Sequence, residues 1–123
     1  WQKLHWRSLS SAYRSSPFFE FYEDDLKEIF FKQPEKLMDF NIDLLSCILS
    51  LIEIDLSFSF KENYCALSPQ EESLINAKQE STISYPVYQQ VFETKHGFIP
   101  HLSILDLLFN HGPQSLDYLE QLV

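Results

Sequence analysis

The residues best suited to chemistry lie between positions 95 and 113, where three of the four histidines of this chain occur. His96, His101 and His111 follow one another along this stretch. Imidazole can act as a general base, bind a substrate or ligate a metal. The intervals between these histidines match no common metal-binding pattern, so no metal site is predicted. The remaining interpretations are a structural role or, for His96 and His101, a general base or substrate-binding role.

The same stretch carries the signals that place these residues on helices. Ser103 and Asp106 have the spacing of a capping box, in which Ser103 caps a helix and Asp106 reaches back to the cap. The almost wholly apolar segment 104–110 predicts that this helix is buried. Gly112 is expected to end it, and Pro113 to open a last helix. This interpretation explains Asp106 without catalysis.

The chain before this stretch is typical of aromatic-rich helices. Apolar residues at spacings of three and four predict helices over 1–15, 17–31 and 34–54. The third has the strongest periodicity and is expected to be the central helix. In the first helix, one face is predicted to carry the apolar side chains, with Trp6 at its margin: Trp1, Leu4, Leu9, Ala12 and Tyr13.

A change of pattern follows the third helix. Strict alternation in DLSFSF, residues 55–60, predicts a short strand, and residues 82–88 are the candidate partner for a hairpin. One or two helical turns are expected near 69–77, after a second capping box. The fold class predicted is therefore mainly α: a compact domain of about five helices with a short β strand or hairpin near 55–60 and 82–88.

Length and charge narrow the class of protein. The 123 residues are 45% apolar and predict one domain with a real core. A net charge of −9 disfavours nucleic acid as a partner. The longest apolar run, residues 44–54, is too short to cross a membrane, so no membrane insertion is expected. No cofactor motif is present, since the sequence has neither a P-loop nor a G-x-G-x-x-G segment.

The two cysteines and the start of the chain bear on location. Cys47 lies within a predicted helix and Cys65 stands far from it, so two reduced thiols are the simpler interpretation. No signal peptide is visible at the start, which is polar and basic. A cytoplasmic location is therefore predicted.

Two charged groups have both a structural and a functional interpretation. Lys3, Arg7 and Arg14 are spaced to lie near one helix face, which is either a solvated surface or a site for an anionic ligand such as phosphate. The acidic run at 20–25 could bind a metal or perform acid–base work, although adjacent acids on an exposed helix usually serve solvation.

Four segments carry a resemblance to a known family. They are HWRSLSSAYRSSPFFEFYEDDL from His5 to Leu26, LMDFNIDLL from Leu37 to Leu45, QVFETKHGFIPHLSILDLLFNHGP from Gln90 to Pro113, and the tail SLDYL. In these segments and their order, the chain resembles the WbqC-like protein family. Members of that family are usually longer, and this chain resembles their C-terminal part. It is therefore interpreted as a single domain, residues 1–123, of a longer protein.

The resemblance implies a role in O-antigen and other surface-polysaccharide biosynthesis, by acyl or aminoacyl transfer onto an amino-sugar nucleotide. On that basis a sugar nucleotide is the expected partner. Residues implied to take part in proton transfer or polar positioning are His96, Asp106 and Tyr13. Residues implied to bind the substrate are His5, Arg7, Arg14 and His101.

The sequence is also compatible with a function other than that of an enzyme. The aromatic excess and the lack of a recognisable nucleophile also fit a non-catalytic helical module. Such a module would bind a partner protein or complete a larger enzyme. An incomplete apolar face would also favour a homo-oligomer.

Overall fold

Helices make up most of the described chain, as the spacing of the apolar residues predicts. The structure is a computed structural model that describes residues 1–63, 66 and 84–122. Five helices in these ranges have six or more residues, which agrees with the mainly α fold class. In chain order the elements are α1 (Gln2–Tyr13), α2 (Phe19–Phe31), α3 (Leu37–Leu51), α4 (Glu93–His96), α5 (Ile104–His111), a 3₁₀ turn (Gly112–Gln114) and α6 (Ser115–Glu120).

Helix α2, and not α3, lies at the centre of the helical packing. It contacts α1, α3 and α5. Its side chains Phe19 and Leu26 are fully buried. The expectation that the third helix is central is wrong, because α3 leaves apolar side chains such as Leu37 and Leu45 exposed. A helix with an exposed apolar face has a neighbour on only part of its circumference.

The packed face of α1 also differs from the prediction. Trp6 is only 7% exposed, whereas Trp1 and Leu4 are more than half exposed. The Trp6 ring stacks on Phe19 and contacts Phe30 of α2. Trp6 is therefore a core residue, because the face that meets α2 includes Trp6 and not the predicted Trp1 and Leu4.

The turn between α1 and α2 is tied to α5. The backbone N–H of Phe18 donates to the Phe109 carbonyl at 2.9 Å. The Ser16 hydroxyl donates to the Tyr13 carbonyl at 2.6 Å, so Ser16 closes the end of α1 and does not cap α2. These bonds fix the end of α1, which carries Tyr13, against α5.

Helix α3 ends in a Schellman motif. The Ile54 N–H donates to the Leu49 carbonyl at 2.9 Å, and the Glu53 N–H donates to the Ser50 carbonyl at 3.2 Å. Glu53 takes the left-handed position, with φ of 62°. Glycine is the usual residue there, because a side chain crowds the backbone at positive φ.

No β-strand forms within the described ranges, so the predicted strand at 55–60 is wrong for this structure. That segment is irregular and exposed. The described part of its candidate partner, 84–88, packs elsewhere, with Tyr88 bonded to α5 and Pro86 to α6. A strand without a partner cannot satisfy its backbone hydrogen bonds. Residues 82 and 83 and the helical turns expected at 69–77 lie outside the described residues.

Two clusters of buried side chains hold these elements together. The smaller cluster joins Tyr88, Leu107 and Tyr118, and so attaches the extended segment before α4 to α5 and α6. The larger one lies between α1, α2, α3 and α5 and consists of Trp6, Phe19, Tyr22, Leu26, Ile29, Phe30, Phe40, Ile48, Ile52, Leu108 and Phe109.

Candidate functional site

The side chain of Asp106 is a buried carboxylate at the start of α5, with only 3% of the residue exposed. Its Oδ2 accepts a hydrogen bond from the Tyr88 hydroxyl at 2.7 Å and a weaker one from Gln90 Nε2 at 3.3 Å. The Tyr13 hydroxyl lies near this carboxylate and interacts with it. The first turn of a helix favours a negative charge. Asp106 is thus held by two side-chain donors and by the end of α5, with the Tyr13 hydroxyl close by.

This arrangement corrects the predicted role of Asp106 as the second half of a capping box. Ser103 does cap α5, since its hydroxyl accepts from the Leu105 N–H at 3.3 Å. The carboxylate of Asp106, however, faces Tyr88 and Gln90. Only its backbone N–H contacts Ser103, through the carbonyl at 2.8 Å. The side chain therefore organises a polar site and does not reach back to the cap.

The two tyrosines beside Asp106, Tyr13 and Tyr88, lose their hydroxyl protons less readily than an ordinary tyrosine. Burial, followed by the charge and hydrogen bond of Asp106, raises the pKa of Tyr13 well above its ordinary value. Burial and the hydrogen bond to Asp106 raise the pKa of Tyr88 in the same way. Both hydroxyls stay protonated at neutral pH and act as hydrogen-bond donors.

Gln90 links Asp106 to the loop between α4 and α5. Its Nε2 donates to the Ile99 carbonyl at 2.9 Å, and its Oε1 accepts from the Ile99 N–H at 2.9 Å. The carboxamide therefore pairs with both backbone groups of Ile99. The loop it holds has two residues at positive φ, Gly97 at 70° and His101 at 64°. Gln90 fixes this strained loop from a position that is itself only 7% exposed.

Asn110 occupies the next turn of α5. Its Nδ2 donates to the Asp106 carbonyl at 2.8 Å. A carbonyl can only accept, so this bond fixes which end of the amide is nitrogen. The amide oxygen, Oδ1, accepts no hydrogen bond from the described residues. It is also not one of the fully buried side-chain atoms that lack a partner. Asn110 also lines a cleft, and Oδ1 is the part of its amide that is left to accept a hydrogen bond.

The cleft over this network has a volume of about 450 Å³. It lies between the end of α1, the extended segment before α4, α4 itself and α5. Pro17 and Val91 supply its apolar lining. The other lining residues are polar: Ser15, Gln89, Gln90, Glu93, Thr94 and Asn110. The lining is thus more polar than that of most small-molecule sites, and fixed polar groups such as Gln90 and Asn110 can set the orientation of a bound ligand.

Of the residues implied to act in proton transfer, the structure brings two together. Tyr13 and Asp106 lie close enough to interact with each other, behind the cleft. His96 is exposed at the end of α4, the helix that supplies Glu93 and Thr94 to the cleft. His96 follows Glu93 by three residues and so lies on the same side of that helical turn.

The residues implied to bind substrate are spread over the surface. Arg14 is exposed directly before Ser15, a lining residue of the cleft, and Arg7 is exposed two turns earlier on α1. His5 lies at the other end of α1, where its ring contacts Trp1. His101 is exposed on the loop before α5, with its ring against Tyr85 at 4.2 Å.

His5 belongs to a second concavity of about 540 Å³, at the start of α3. Its aromatic walls are Trp1 and Phe40, whose rings meet edge-on at 5.1 Å. Among the residues that the structure describes, no buried hydrogen-bond network supports its lining, which consists of Trp1, Gln2, His5, Pro34, Glu35, Lys36, Leu37 and Phe40. The polar cleft beside Asp106 is therefore the better candidate site.

The three histidines that lie close together in the sequence have different neighbours in the structure. His111 packs between the rings of Tyr88 and Tyr118, at centroid distances of 6.1 and 5.8 Å. In the ranges that the structure describes, no group of three or more His, Cys, Asp or Glu side chains could hold a metal ion. Cys47 is a free thiol on α3, and burial raises its pKa. Cys65 lies outside the described residues.

Three residues of this site were missed from the sequence. Tyr88 and Gln90 are buried while Val87 and Gln89 are exposed, which is the alternation of an extended chain. That two-residue period is visible in the sequence, but it predicts residues 82–88 as a strand of a hairpin and gives no sign that the segment packs on α5. Asn110 carried no signal beyond its place on the apolar helix α5, where a polar residue needs a partner.

Comparison with known proteins assigns the family. The model of the WbqC-like protein family matches residues 1–83 and 74–118, which is most of the chain. The chain belongs to the WbqC-like protein family.

One relative is an uncharacterized protein of Mycobacterium tuberculosis strain H37Rv, Rv1507c. The two sequences are 28% identical over an alignment of 148 positions. This alignment covers 97% of this chain and 64% of the relative. The chain thus spans less than two thirds of the length of that relative. No solved structure matches the chain.

The helices of the described chain include none that is long and apolar enough to span a membrane.

Proposed function

We propose that the polar cleft binds a sugar nucleotide, and that the chain acts in bacterial surface-polysaccharide (O-antigen) biosynthesis. The reaction proposed is acyl or aminoacyl transfer onto an amino sugar. The observation that supports this proposal is the network of Asp106, Gln90 and Asn110, which holds two cleft-lining amides in place. Amide, hydroxyl and carboxylate groups that are fixed before binding are suited to recognising the hydroxyls of a sugar.

Arg14 is the proposed partner of the diphosphate. It lies beside the cleft, and it forms no ion pair in the described part of the chain. A guanidinium group can make two parallel hydrogen bonds to a phosphate. Arg7 lies about 10 Å farther along the helix axis, at 1.5 Å per residue, and so serves as a matched control.

In the proposed transfer the sugar nitrogen attacks the carbonyl carbon of an activated acyl donor (an ester or thioester), the C–N bond forms, and the donor's alcohol or thiol leaves. His96 is proposed to accept the proton that the sugar nitrogen loses. It is the imidazole nearest in sequence to the cleft residues Glu93 and Thr94. Tyr13 and Asp106 are positioning residues in this proposal, because they lie behind the cleft and the Asp106 carboxylate is already bonded to Tyr88 and Gln90. We also propose a cytoplasmic location and a place within a longer protein.

Calorimetry with UDP-glucosamine tests the binding step. Arg14→Ala should weaken binding roughly 10- to 100-fold, because a charge-assisted hydrogen bond contributes about 1.5–3 kcal/mol. Arg7→Ala should bind like the wild type. Absence of binding by the wild-type chain, or equal losses in the two variants, would refute the proposal. His96→Ala should leave binding unchanged and reduce turnover in a transfer assay on the longer protein.

A non-catalytic helical module is the second candidate function. Its support is the set of exposed apolar side chains on and after α3, including Leu37, Met38 and Leu45, and Phe58 and Phe60 beyond the helix. Apolar patches on a surface commonly mark sites of protein association. This candidate is favoured if UDP-glucosamine does not bind and the Arg14 variant retains every property of the wild type.

A further inference from the structure

The lining of the polar cleft includes two side chains with a free hydrogen-bond acceptor. Glu93 is the charged residue of the lining. One oxygen of that carboxylate, Oε2, accepts a long bond of 3.4 Å from the Gln90 N–H, and Oε1 has no partner in the described chain. Asn110, which is 9% exposed, lines the same cleft, and its Oδ1 accepts no bond from the described residues. Within the described chain, a carboxylate oxygen and an amide oxygen of this lining therefore both lack a donor.

The charge of Glu93 and the two free acceptors favour one kind of ligand group. A primary ammonium has three N–H donors and a positive charge, so it can neutralise Glu93 and still donate to another acceptor of the lining. A hydroxyl has one donor and no charge. An N-acyl group also has one N–H, and it brings a carbonyl oxygen that would face two acceptors. The lining itself supplies no cation to pair with Glu93.

We infer that Glu93 and Asn110 bind the free primary ammonium group of a sugar substrate. The substrate then enters the cleft unacylated and is selected against its N-acetyl and hydroxyl counterparts. This inference rests on the proposed function, since it names the group by which the sugar is recognised. It assigns specificity to two residues that the sequence did not single out.

Titration of the ¹⁵N-labelled chain with free sugars tests this selection. Glucosamine, N-acetylglucosamine and glucose are added separately at one pH and ionic strength, and the amide shifts are followed. Glucosamine should bind at least about 10-fold more tightly than the other two, as a charge-assisted bond exceeds a neutral one. Glu93→Gln should abolish this preference, because the amide keeps the shape and an acceptor but loses the charge.

Glu120→Gln is the matched control, since it removes the same charge from an exposed position on α6. It should keep the full preference for glucosamine. Equal binding of the three sugars, no binding of glucosamine, or a preference that survives in Glu93→Gln would overturn the inference.

The same variants separate this inference from the proposed function. If glucosamine is preferred but UDP-glucosamine binds no better than glucosamine, the ammonium site stands and the nucleotide proposal fails. If UDP-glucosamine and UDP-glucose bind equally well, the nucleotide proposal stands and the ammonium site fails.

Discussion

Asp106 shows how much one buried residue organises at this site. Its carboxylate is the shared acceptor of Tyr88 and Gln90 and interacts with the Tyr13 hydroxyl, and Gln90 in turn holds the backbone of Ile99. A charge buried without a cation is tolerated only when hydrogen bonds replace its hydration. Loss of one donor should therefore cost more than loss of an ordinary hydrogen bond.

Two tyrosine variants test this expectation. Tyr88→Phe removes a donor to the Asp106 carboxylate, whereas Tyr118→Phe removes a 2.8 Å bond to the neutral Pro86 carbonyl. We expect losses in the free energy of unfolding of about 1.5–3 kcal/mol for Tyr88→Phe and about 0.5–1.5 kcal/mol for Tyr118→Phe. Urea unfolding measures both, and equal losses would contradict a charged Asp106 acceptor.

The tyrosines also predict how stability changes in alkali. The pKa of Tyr88 is raised in the folded state, so the folded chain retains its proton after the unfolded chain has lost one. The stabilising contribution is complete below the ordinary tyrosine pKa and is lost as pH rises above it. Unfolding followed by circular dichroism should show this decline above about pH 10. The decline should be shallower in Tyr88→Phe, and an unchanged slope would count against the raised pKa.

What the sequence could not indicate at this scale was which polar groups meet. Asp106 had a sufficient local explanation in the Ser103 capping box, and only the packing of residues 84–90 onto α5 replaced it. The residue type of the histidines suggests catalysis. The hydrogen-bond network around Asp106, however, consists of tyrosine, glutamine and asparagine side chains. Contacts between residues 13, 88 and 106 are long-range, and spacing carries no information on them.

At the scale of elements, Gly112 controls how α5 meets the start of α2. It has a φ of 61°, and a Cβ placed on it would lie 2.6 Å from the ring of Phe18. Gly97 has a similar φ of 70°, but a Cβ placed on it would have no atom within 4 Å. Both glycines therefore have a positive φ, and they differ in how closely other atoms pack against them.

Alanine at each glycine separates these two effects. Gly97→Ala should lower the free energy of unfolding by roughly 1–2 kcal/mol, from backbone strain alone. Gly112→Ala should lower it by roughly 2–4 kcal/mol, because overpacking against Phe18 adds to the strain. Thermal and urea unfolding give both values. Equal losses would mean that the Phe18 ring moves aside at little cost.

Glu53 offers the opposite change, a gain in stability. It occupies the left-handed position of the Schellman motif that ends α3, with φ of 62°. Glycine there relieves about 1–2 kcal/mol of strain but adds freedom to the unfolded chain, so a net gain of about 0.5–1 kcal/mol is expected for Glu53→Gly. Gln33→Gly, at an exposed position outside a helix, should give no gain. A loss in Glu53→Gly would contradict the assigned cap.

Helices were the predictable part of the fold. Spacing of apolar residues located α1, α2 and α3, and the cap at Ser103 with the stop at Gly112 located α5, because these patterns are local. The centre of the packing was not predictable from it, since α3 has the most regular apolar pattern but leaves part of that pattern exposed. The alternation at 55–60 predicted a strand, and it failed because pairing depends on a distant partner.

At the scale of the whole molecule, the exposed apolar side chains stand out. Leu37 is 62% exposed and Met38 is 56% exposed, both at the start of α3. A patch of this kind favours association with another chain. The chain also spans only 64% of the M. tuberculosis relative.

Self-association is the outcome expected for this chain on its own. The weight-average mass in sedimentation should rise with concentration, because α3 presents apolar surface to solvent. Combined Leu37→Lys and Met38→Lys substitution should suppress that rise. Gln114→Lys with Gln33→Lys, two exposed positions off α3, adds the same charge and should not. A mass independent of concentration in the wild type would remove the basis for this association.

The central claim is that ligand binds in the polar cleft over Asp106. Amide chemical-shift mapping with UDP-glucosamine tests it most directly, since it reports where on the chain binding occurs. The account predicts that the largest shifts fall on the cleft residues Ser15, Gln89, Thr94 and Asn110. Shifts confined to the other concavity, around His5, Lys36 and Phe40, or no shifts at saturating ligand, would contradict it.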